Sequence, residues 1–216
     1  MKKLIKRFLR TFGLMFIADK LRFSWIRIRN FKDNAAFKRS YSDVILPPDY
    51  LMYESFQLDY SRYFINGKKT TEWLIDLVKP FHNLNQADVL DWGCGPGRLI
   101  RHLPELLKDA GSFTGTDYNE KTIQWCQDNL KGIDFAKNDL MPPLPFPEES
   151  FDLIYAISIF THLSETAHEA WLQELLRVVK PKGIVFLTLH GEAFQDKLES
   201  AEKADFQQKK LVVRGQ

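Results

Sequence analysis

Hydrophobic and polar positions along this chain follow two rhythms. In residues 1–29, Leu4, Ile5, Phe8, Leu9, Phe12, Met15 and Phe16 recur every three or four places, which predicts one helical stripe. Lys2, Lys3, Lys6, Arg7 and Arg10 mostly fall off that stripe. Residues 30–69 are aromatic-rich and read as irregular, with turns at Pro47-Pro48 and Asn66-Gly67. A helix is expected over Thr70–Val78, ahead of Pro80. Beyond it, short apolar runs alternate with amphipathic ones. The runs Ala87–Asp91, Ser112–Asp117, Ile133–Ala136, Phe151–Ile157 and Ile184–Leu189 read as strands. Between them Arg98–Lys108, Glu120–Leu130 and Glu165–Val179 read as helices. Pro104 shortens or kinks the first of these, and Asn119 is placed to cap the second.

Strands alternating with helices imply right-handed crossovers and a mostly parallel sheet covered by helices on both faces. The predicted class is therefore α/β and Rossmann-like, over residues 70–216, preceded by a basic helix and aromatic-rich segment over residues 1–69. A charged helix over Ala193–Phe206 and one short strand at Lys210–Arg214 complete the expected elements.

Charge sharpens the division. The net charge is only +2, but residues 1–40 hold twelve Lys/Arg against Asp19 and Asp33, so the remainder is acidic by eight charges. The split predicts an anionic partner for the N-terminal part, with an anionic membrane surface met through residues 1–29 as the candidate. It argues against a body that coats nucleic acid. No apolar run is long enough to span a membrane, and Phe12–Ala18 lacks the features of a signal peptide. The two cysteines, Cys94 and Cys126, form no CxxC pair and suggest a reduced, cytoplasmic setting. Oligomeric state is not legible.

The candidate chemistry lies in "VLDWGCGPGRLI", Val89–Ile100, where Gly93, Gly95 and Gly97 leave the first strand of the alternating region. In such sheets ligands bind beyond the carboxyl ends of the strands, and glycines let a ligand touch the main chain. Asp117 ends the next strand, where a carboxylate can accept both hydroxyls of a ribose, and Asp139 follows the third. A pyrophosphate cofactor would call for G-x-G-x-x-G, yet Arg98 stands where its last glycine belongs, and Asp91 would repel phosphate. An acid there suits a cationic ligand bearing an amino group or a sulfonium. That points to S-adenosylmethionine rather than NAD.

With "VLDWGCGPGR", "FTGTDYN", "NDLMPPLPFPEESFDLIYAISIFTHL" and "WLQELLRVVKPKGIVFLTLHG" in this order, the chain resembles a class I S-adenosylmethionine-dependent methyltransferase over roughly residues 70–191. The resemblance implies that Gly93, Gly95 and Gly97 face the methionine part of the cofactor and that Asp91 lies near its amino group. Asp117 would bind the ribose, Tyr118 would pack on the adenine, and Asp139 would hydrogen-bond its amino group with Leu140 beside the ring. Ser158 to His162 would lie near the transferred methyl of an unidentified acceptor, a glycan, lipid or small molecule. The same resemblance expects a further helix and hairpin after the fifth strand, so the C-terminal strands are expected to be truncated.

His162 and His190 both fall at strand ends on this edge and are the candidates to take a proton from a hydroxyl acceptor. His82, His102 and His168 are expected at the surface, and Cys94 as a packing residue. Tyr41, Tyr50, Tyr53, Tyr60 and Tyr63 fit either an acceptor pocket or a packed lid. Two rivals stand beside this reading: a non-catalytic S-adenosylmethionine-binding or scaffold protein, and a nucleotide-dependent oxidoreductase. No metal site is expected.

Overall fold

The computed structural model describes residues 15–209, so the expectations for residues 1–14 and for a strand at Lys210–Arg214 lie outside the described residues. The chain divides into two compact units, one ending at Trp73 and the other beginning at Leu74.

The first unit is helical: α1 (Met15–Arg29), α2 (Phe31–Ser40), α3 (Asp49–Phe56) and most of α4 (Tyr60–Val78). Here the irregular reading of residues 30–69 is corrected. Ile26, Phe37, Met52, Tyr53, Leu58, Tyr60 and Tyr63 form a core of their own. Asn66-Gly67 is not a turn but lies inside α4, because Tyr60, Tyr63, Thr71, Leu74, Ile75 and Val78 continue one buried stripe through it. That burial outweighs the roughly 1 kcal/mol that a mid-helix glycine costs. Polar side chains tie the connections: Asn30 and Asn34 donate to the Leu58 carbonyl at 3.0 and 2.9 Å. Tyr60 donates its hydroxyl to Asp49 at 2.7 Å. Tyr53, Tyr60 and Tyr63 are thus packed in this core.

The second unit is the α/β body. Its strands are β1 (Asp88–Trp92), β2 (Ser112–Asp117), β3 (Asp134–Lys137), β4 (Phe151–Ala156) and β5 (Val179–Leu187). All pairs are parallel, in the order β3-β2-β1-β4-β5. Connecting helices are α5 (Leu103–Leu106), α6 (Glu120–Asn129) and α7 (Glu165–Val178), and α8 (Ser200–Lys209) follows β5. Alternate strand residues enter opposite cores, as the two-residue period requires. Val89, Leu153 and Tyr155 pack with Leu103, Ile123 and Cys126 on one face. Leu90, Trp92, Ile154 and Ala156 pack with Trp171 and Leu175 of α7 on the other. Asn119 caps α6 as expected, accepting from the Thr122 amide, and Ser164 caps α7 by accepting from Ala167.

Three elements differ from their sequence outlines. The helix expected over Arg98–Lys108 is a 3-10 turn, Ile100–His102, followed by the single turn α5, which begins where Pro104 fits a first helical turn. His102, expected at the surface, is buried within that compact connection. β5 starts at Val179 instead of Ile184, carrying Pro181 and Gly183 through a bulge with Lys182 at φ +68°. Finally, the helix expected over Ala193–Phe206 is two pieces, Glu192–Lys197 and α8, because the Glu202 carboxylate accepts from the Glu199 amide at 2.8 Å and starts a new helix there. Among the described residues no strand follows Leu187.

The amino edge of the sheet is closed by charge. Lys180 Nζ donates to Asp88 at 2.7 Å and to Asp152 at 2.8 Å. The Ser112 hydroxyl and the Asp88 amide add bonds of 2.6 and 2.8 Å. The network ties the beginnings of β1, β2, β4 and β5. Burial pushes the Asp88 carboxyl up, but the Lys180 and Ser112 hydrogen bonds outweigh it and hold the group below its ordinary value.

Candidate functional site

Strand order reverses between β1 and β4, and the chain leaves every parallel strand at the same edge. The glycine turn, Asp117, Asn138-Asp139-Leu140, Ser158 and Thr188-Leu189-His190 therefore all emerge at the carboxyl edge, on either side of the switch point.

The turn after β1 is built from inside. Gly93, Gly95 and Gly97 have φ of +80°, +52° and +74°, a region that side-chain-bearing residues rarely adopt. Gly93 and Cys94 both donate their amides to the Thr116 carbonyl at 2.8 Å. Gly95 donates to Asp117 Oδ2 at 3.0 Å, and Gly97 donates to the Cys94 carbonyl at 3.1 Å. Pro96 has no amide hydrogen. The segment from Gly93 to Gly97 thus has no donor left for a phosphate, unlike an anion-binding loop, whose amides point at the ligand. The three glycines also differ from one another. A Cβ on Gly93 would collide with Ile159, and one on Gly97 would lie 2.5 Å from Leu130, whereas one on Gly95 would meet nothing within 4 Å. Gly95 alone faces open space. Its carbonyl is held as well, by the thiols of Cys94 at 3.3 Å and Cys126 at 3.6 Å. Burial pushes both thiols up, Cys126 to about 12, so they stay protonated and serve as donors, in keeping with a packing role for Cys94.

Two carboxylates flank this turn. Asp91 is 4% exposed, and burial raises its pKa to about 7, against the opposing influence of the Tyr155 hydroxyl beside it; the nearby Asp117 charge raises it further and Arg98 lowers it. Asp91 and Tyr155 are register partners on adjacent strands. Asp117 is also raised by burial, which prevails over the amides of Asn119, Gly95 and Tyr118. Asn119 donates to its Oδ1 at 2.8 Å. Burial is the leading cause at both, so each carboxyl resists ionisation, and a cation brought beside them would favour their charged forms.

The neighbouring strand ends supply apolar and polar walls. Tyr118 after β2 and Leu140 after β3 are both exposed, and Met141 continues the apolar surface. The Leu140 carbonyl accepts from Trp171 Nε1 at 3.1 Å, and the Leu144 amide donates to Glu174 at 2.7 Å, so α7 fixes the proline-rich loop at two points. Asp139 is exposed, its carbonyl held by the Asn138 side chain at 2.7 Å. Ser158 sits at φ +64° after β4, with its amide donating to Thr188 Oγ1 at 2.7 Å and its carbonyl accepting from Thr161 at 2.8 Å. A serine in that conformation costs on the order of 1–3 kcal/mol and persists because both its backbone groups are engaged.

Of the histidines, His162 is exposed at the end of the 3-10 turn Phe160–His162. His190 is exposed too, but its ring lies flat on Phe194, with centroids 3.8 Å apart and planes at 3°. His168, expected at the surface, is half-buried and bonded to the Phe160 carbonyl. Sequence reasoning missed Tyr155, Cys126 and Thr188. A tyrosine at the buried end of the apolar run "FDLIYA" was a usable signal for the first. Nothing local marks the other two, whose partners lie 31 and 30 residues away.

Residues 89–183 match the family model described as a methyltransferase domain. Among curated proteins, the chain is 34% identical over 109 residues to a tRNA (carboxymethyluridine(34)-5-O)-methyltransferase of Arabidopsis thaliana, covering 50% of this chain and 25% of that one. It is 37% identical over 106 residues to a sterol 24-C-methyltransferase of Gibberella zeae, covering 44% and 26%. A demethylmenaquinone methyltransferase of Desulfitobacterium hafniense is 33% identical over 103 residues, covering 45% and 40%. The chain therefore spans between a quarter and two-fifths of the length of these relatives.

Proposed function

We infer, from the match of residues 89–183 to a methyltransferase domain and from the geometry of the turn, that this protein is a class I S-adenosylmethionine-dependent methyltransferase that binds the cofactor at the carboxyl edge of its sheet and transfers the methyl group to an acceptor. The observation that carries the reading is the turn whose amides are all engaged internally between two carboxylates. Such a turn repels a pyrophosphate and welcomes a cation. It disfavours the oxidoreductase rival on grounds independent of the glycine spacing.

The residues fit the cofactor. Gly95 offers main chain with open space in front of it, and Asp91 offers negative charge for the amino group. Asp117, its carboxylate already oriented by two amides, keeps acceptor capacity for the ribose hydroxyls. Tyr118 and Leu140 supply exposed apolar surface for the adenine, with Asp139 for its amino group. S-adenosylmethionine supplies a methyl on a positively charged sulfur, an excellent leaving group. The chain's own task is then to align the acceptor, exclude water and receive a proton where the acceptor is a hydroxyl. His162 is the stronger candidate for that proton, since one face of the His190 ring is occupied by Phe194.

The acceptor is proposed to be a glycan, a lipid or a small molecule. The relatives' acceptors differ from one another, and the acidic balance of residues 41–216 disfavours a nucleic acid. The test is thermal melting of the full chain with S-adenosylmethionine, S-adenosylhomocysteine or NAD, followed by labelled methyl transfer to an acceptor panel. A ligand of the folded state at a hundredfold excess over its Kd stabilises it by about 2.7 kcal/mol. Stabilisation by NAD alone would overturn the reading. Stabilisation by S-adenosylmethionine without turnover on any acceptor would favour the scaffold rival.

A further inference from the structure

We propose that the outward face of α1 docks on an anionic lipid bilayer. Helix α1 has a well-defined inward side. Ile26 is 2% exposed in the helical core, and Phe23 packs edge-on against the rings of Tyr50 and Tyr53. Asp19, the only acid of the helix, accepts from Tyr50 at 2.9 Å and Tyr53 at 2.6 Å. With that side buried, the opposite side of a surface helix should be polar. It is not. Ile17, Leu21, Trp25 and Ile28, spaced by four, four and three, form a second apolar stripe between 54% and 76% exposed.

The rim of this stripe has one sign. At 100° per residue, Lys20 and Arg27 fall along one margin and Arg22 and Arg29 along the other, with no acid of the helix between them; Arg27 lies 3.5 Å from Asp49 of α3, and the other three carry the rim's charge. Arg29 lies over the Trp25 ring at 4.9 Å and Lys20 over Phe16 at 4.4 Å, so cations and apolar rings present together. Phe31 and Lys32 extend both features into α2. An apolar stripe edged by bases and carrying a tryptophan is the pattern of a helix lying in a bilayer interface, rings among the acyl chains and bases at the headgroups. No described helix is long and apolar enough to cross a membrane, so this one would lie on the surface.

Charge selects the occupant. A second copy of the helix would bring one cationic rim against another, whereas a phosphatidylserine-containing leaflet is complementary to both margins. In sequence, residues 1–14 add five bases and no acid.

The experiment is co-sedimentation of the full chain with phosphatidylcholine vesicles and with vesicles containing about one-third phosphatidylserine. Binding is expected to the anionic vesicles only, and to weaken roughly tenfold or more when salt is raised from about 0.05 to about 0.5 M. The triple variant Leu21→Ser, Trp25→Ser, Ile28→Ser and the double variant Lys20→Glu, Arg29→Glu should each lose it, with cofactor-induced melting shifts unchanged. Hydrogen exchange on the unsubstituted chain gives a readout that needs no variant: amides of 15–29 should gain protection with anionic vesicles and not with neutral ones. Vesicle binding that survives the triple variant, no protection of 15–29, or a dimer that the same substitutions dissociate would overturn the proposal.

Discussion

The two edges of the one sheet are built on opposite principles. At the amino edge, four strands meet in a closed network in which one lysine answers two carboxylates and a serine fills a remaining acceptor. At the carboxyl edge, two carboxylates stand without a lysine between them, the backbone turns to positive φ at three glycines and, with strain, at Ser158, and apolar side chains are left in the open. Stability and binding are thus separated by the length of a strand. At the carboxyl edge burial outweighs the influence of Arg98 and keeps both carboxyls above their ordinary values, whereas at the amino edge Lys180 and Ser112 hold Asp88 below its own.

Substitutions on either side should separate the two properties. The largest effect is expected from Asp117→Ala, which removes charge-assisted bonds of roughly 1.5–3 kcal/mol each to a ribose. Calorimetric titration should show S-adenosylhomocysteine affinity falling by about a hundredfold or more, with a smaller loss of stability from releasing the Gly95 and Asn119 amides. Undiminished affinity would remove Asp117 from the site.

Next is Lys180→Met at the closed edge. About a third of the lysine side chain and of its Asp88 partner is exposed, so the cost lies between that of a surface pair and that of a buried one, at about 2 kcal/mol. For a chain of this size that corresponds to a melting temperature lower by roughly 4–8 °C. Cofactor affinity should not change, and a parallel loss of both would break the contrast between edges.

Asp91 gives a smaller, pH-dependent signature. Its folded pKa of about 7 exceeds the ordinary 3.8, so between these values the folded protein keeps a proton that the unfolded chain has lost. Its contribution therefore favours folding at low pH and is lost as pH rises through that window. Ligand binding runs the other way, because a cation needs the ionised form. Affinity should fall about tenfold per pH unit below about 7, and Asp91→Asn should abolish the step while weakening binding throughout. A flat affinity profile in the parent from pH 5 to 8 would refute the pairing.

The smallest effect distinguishes the glycines. Gly95→Ala meets no atom and should cost only the roughly 1 kcal/mol of a left-handed alanine, yet weaken cofactor binding by more than that. Gly97→Ala must displace Leu130 and should reverse the balance, destabilising the fold more than the complex. Equal effects from the two would mean that both glycines serve only the turn.

The elements most legible in the sequence were those whose signal is local and periodic. The five strands, the cap at Asn119 and the positions of Asp91, Asp117 and the glycines at strand ends all follow from two-residue and 3.6-residue spacing joined by turn residues. Asn66-Gly67 misled because a turn propensity was set against a stripe that only the packed helical core reveals. β5 was cut short for the same kind of reason, since Pro181 and Gly183 look like a stop but are absorbed by a bulge. The outward stripe of α1 was hidden because a sequence shows that a helix has apolar positions on two sides without saying which side is buried. What holds Gly95 from both directions, a carboxylate and two thiols, depends on contacts up to 31 residues apart and leaves no local trace.

The proton on Asp91 has a consequence for energetics in solution. At pH 7 Asp91 is about half protonated, so the site carries roughly half a negative charge less than its two carboxylates could, and an arriving ammonium would displace that share of a proton. For the protonated half of the molecules, binding then becomes an exchange of one cation for another. Such an exchange releases about half a proton per molecule to a buffer at pH 7, so the apparent binding enthalpy should track the ionisation enthalpy of the buffer chosen. It should also temper the dependence of affinity on ionic strength, in contrast to the salt-screened attraction expected of α1.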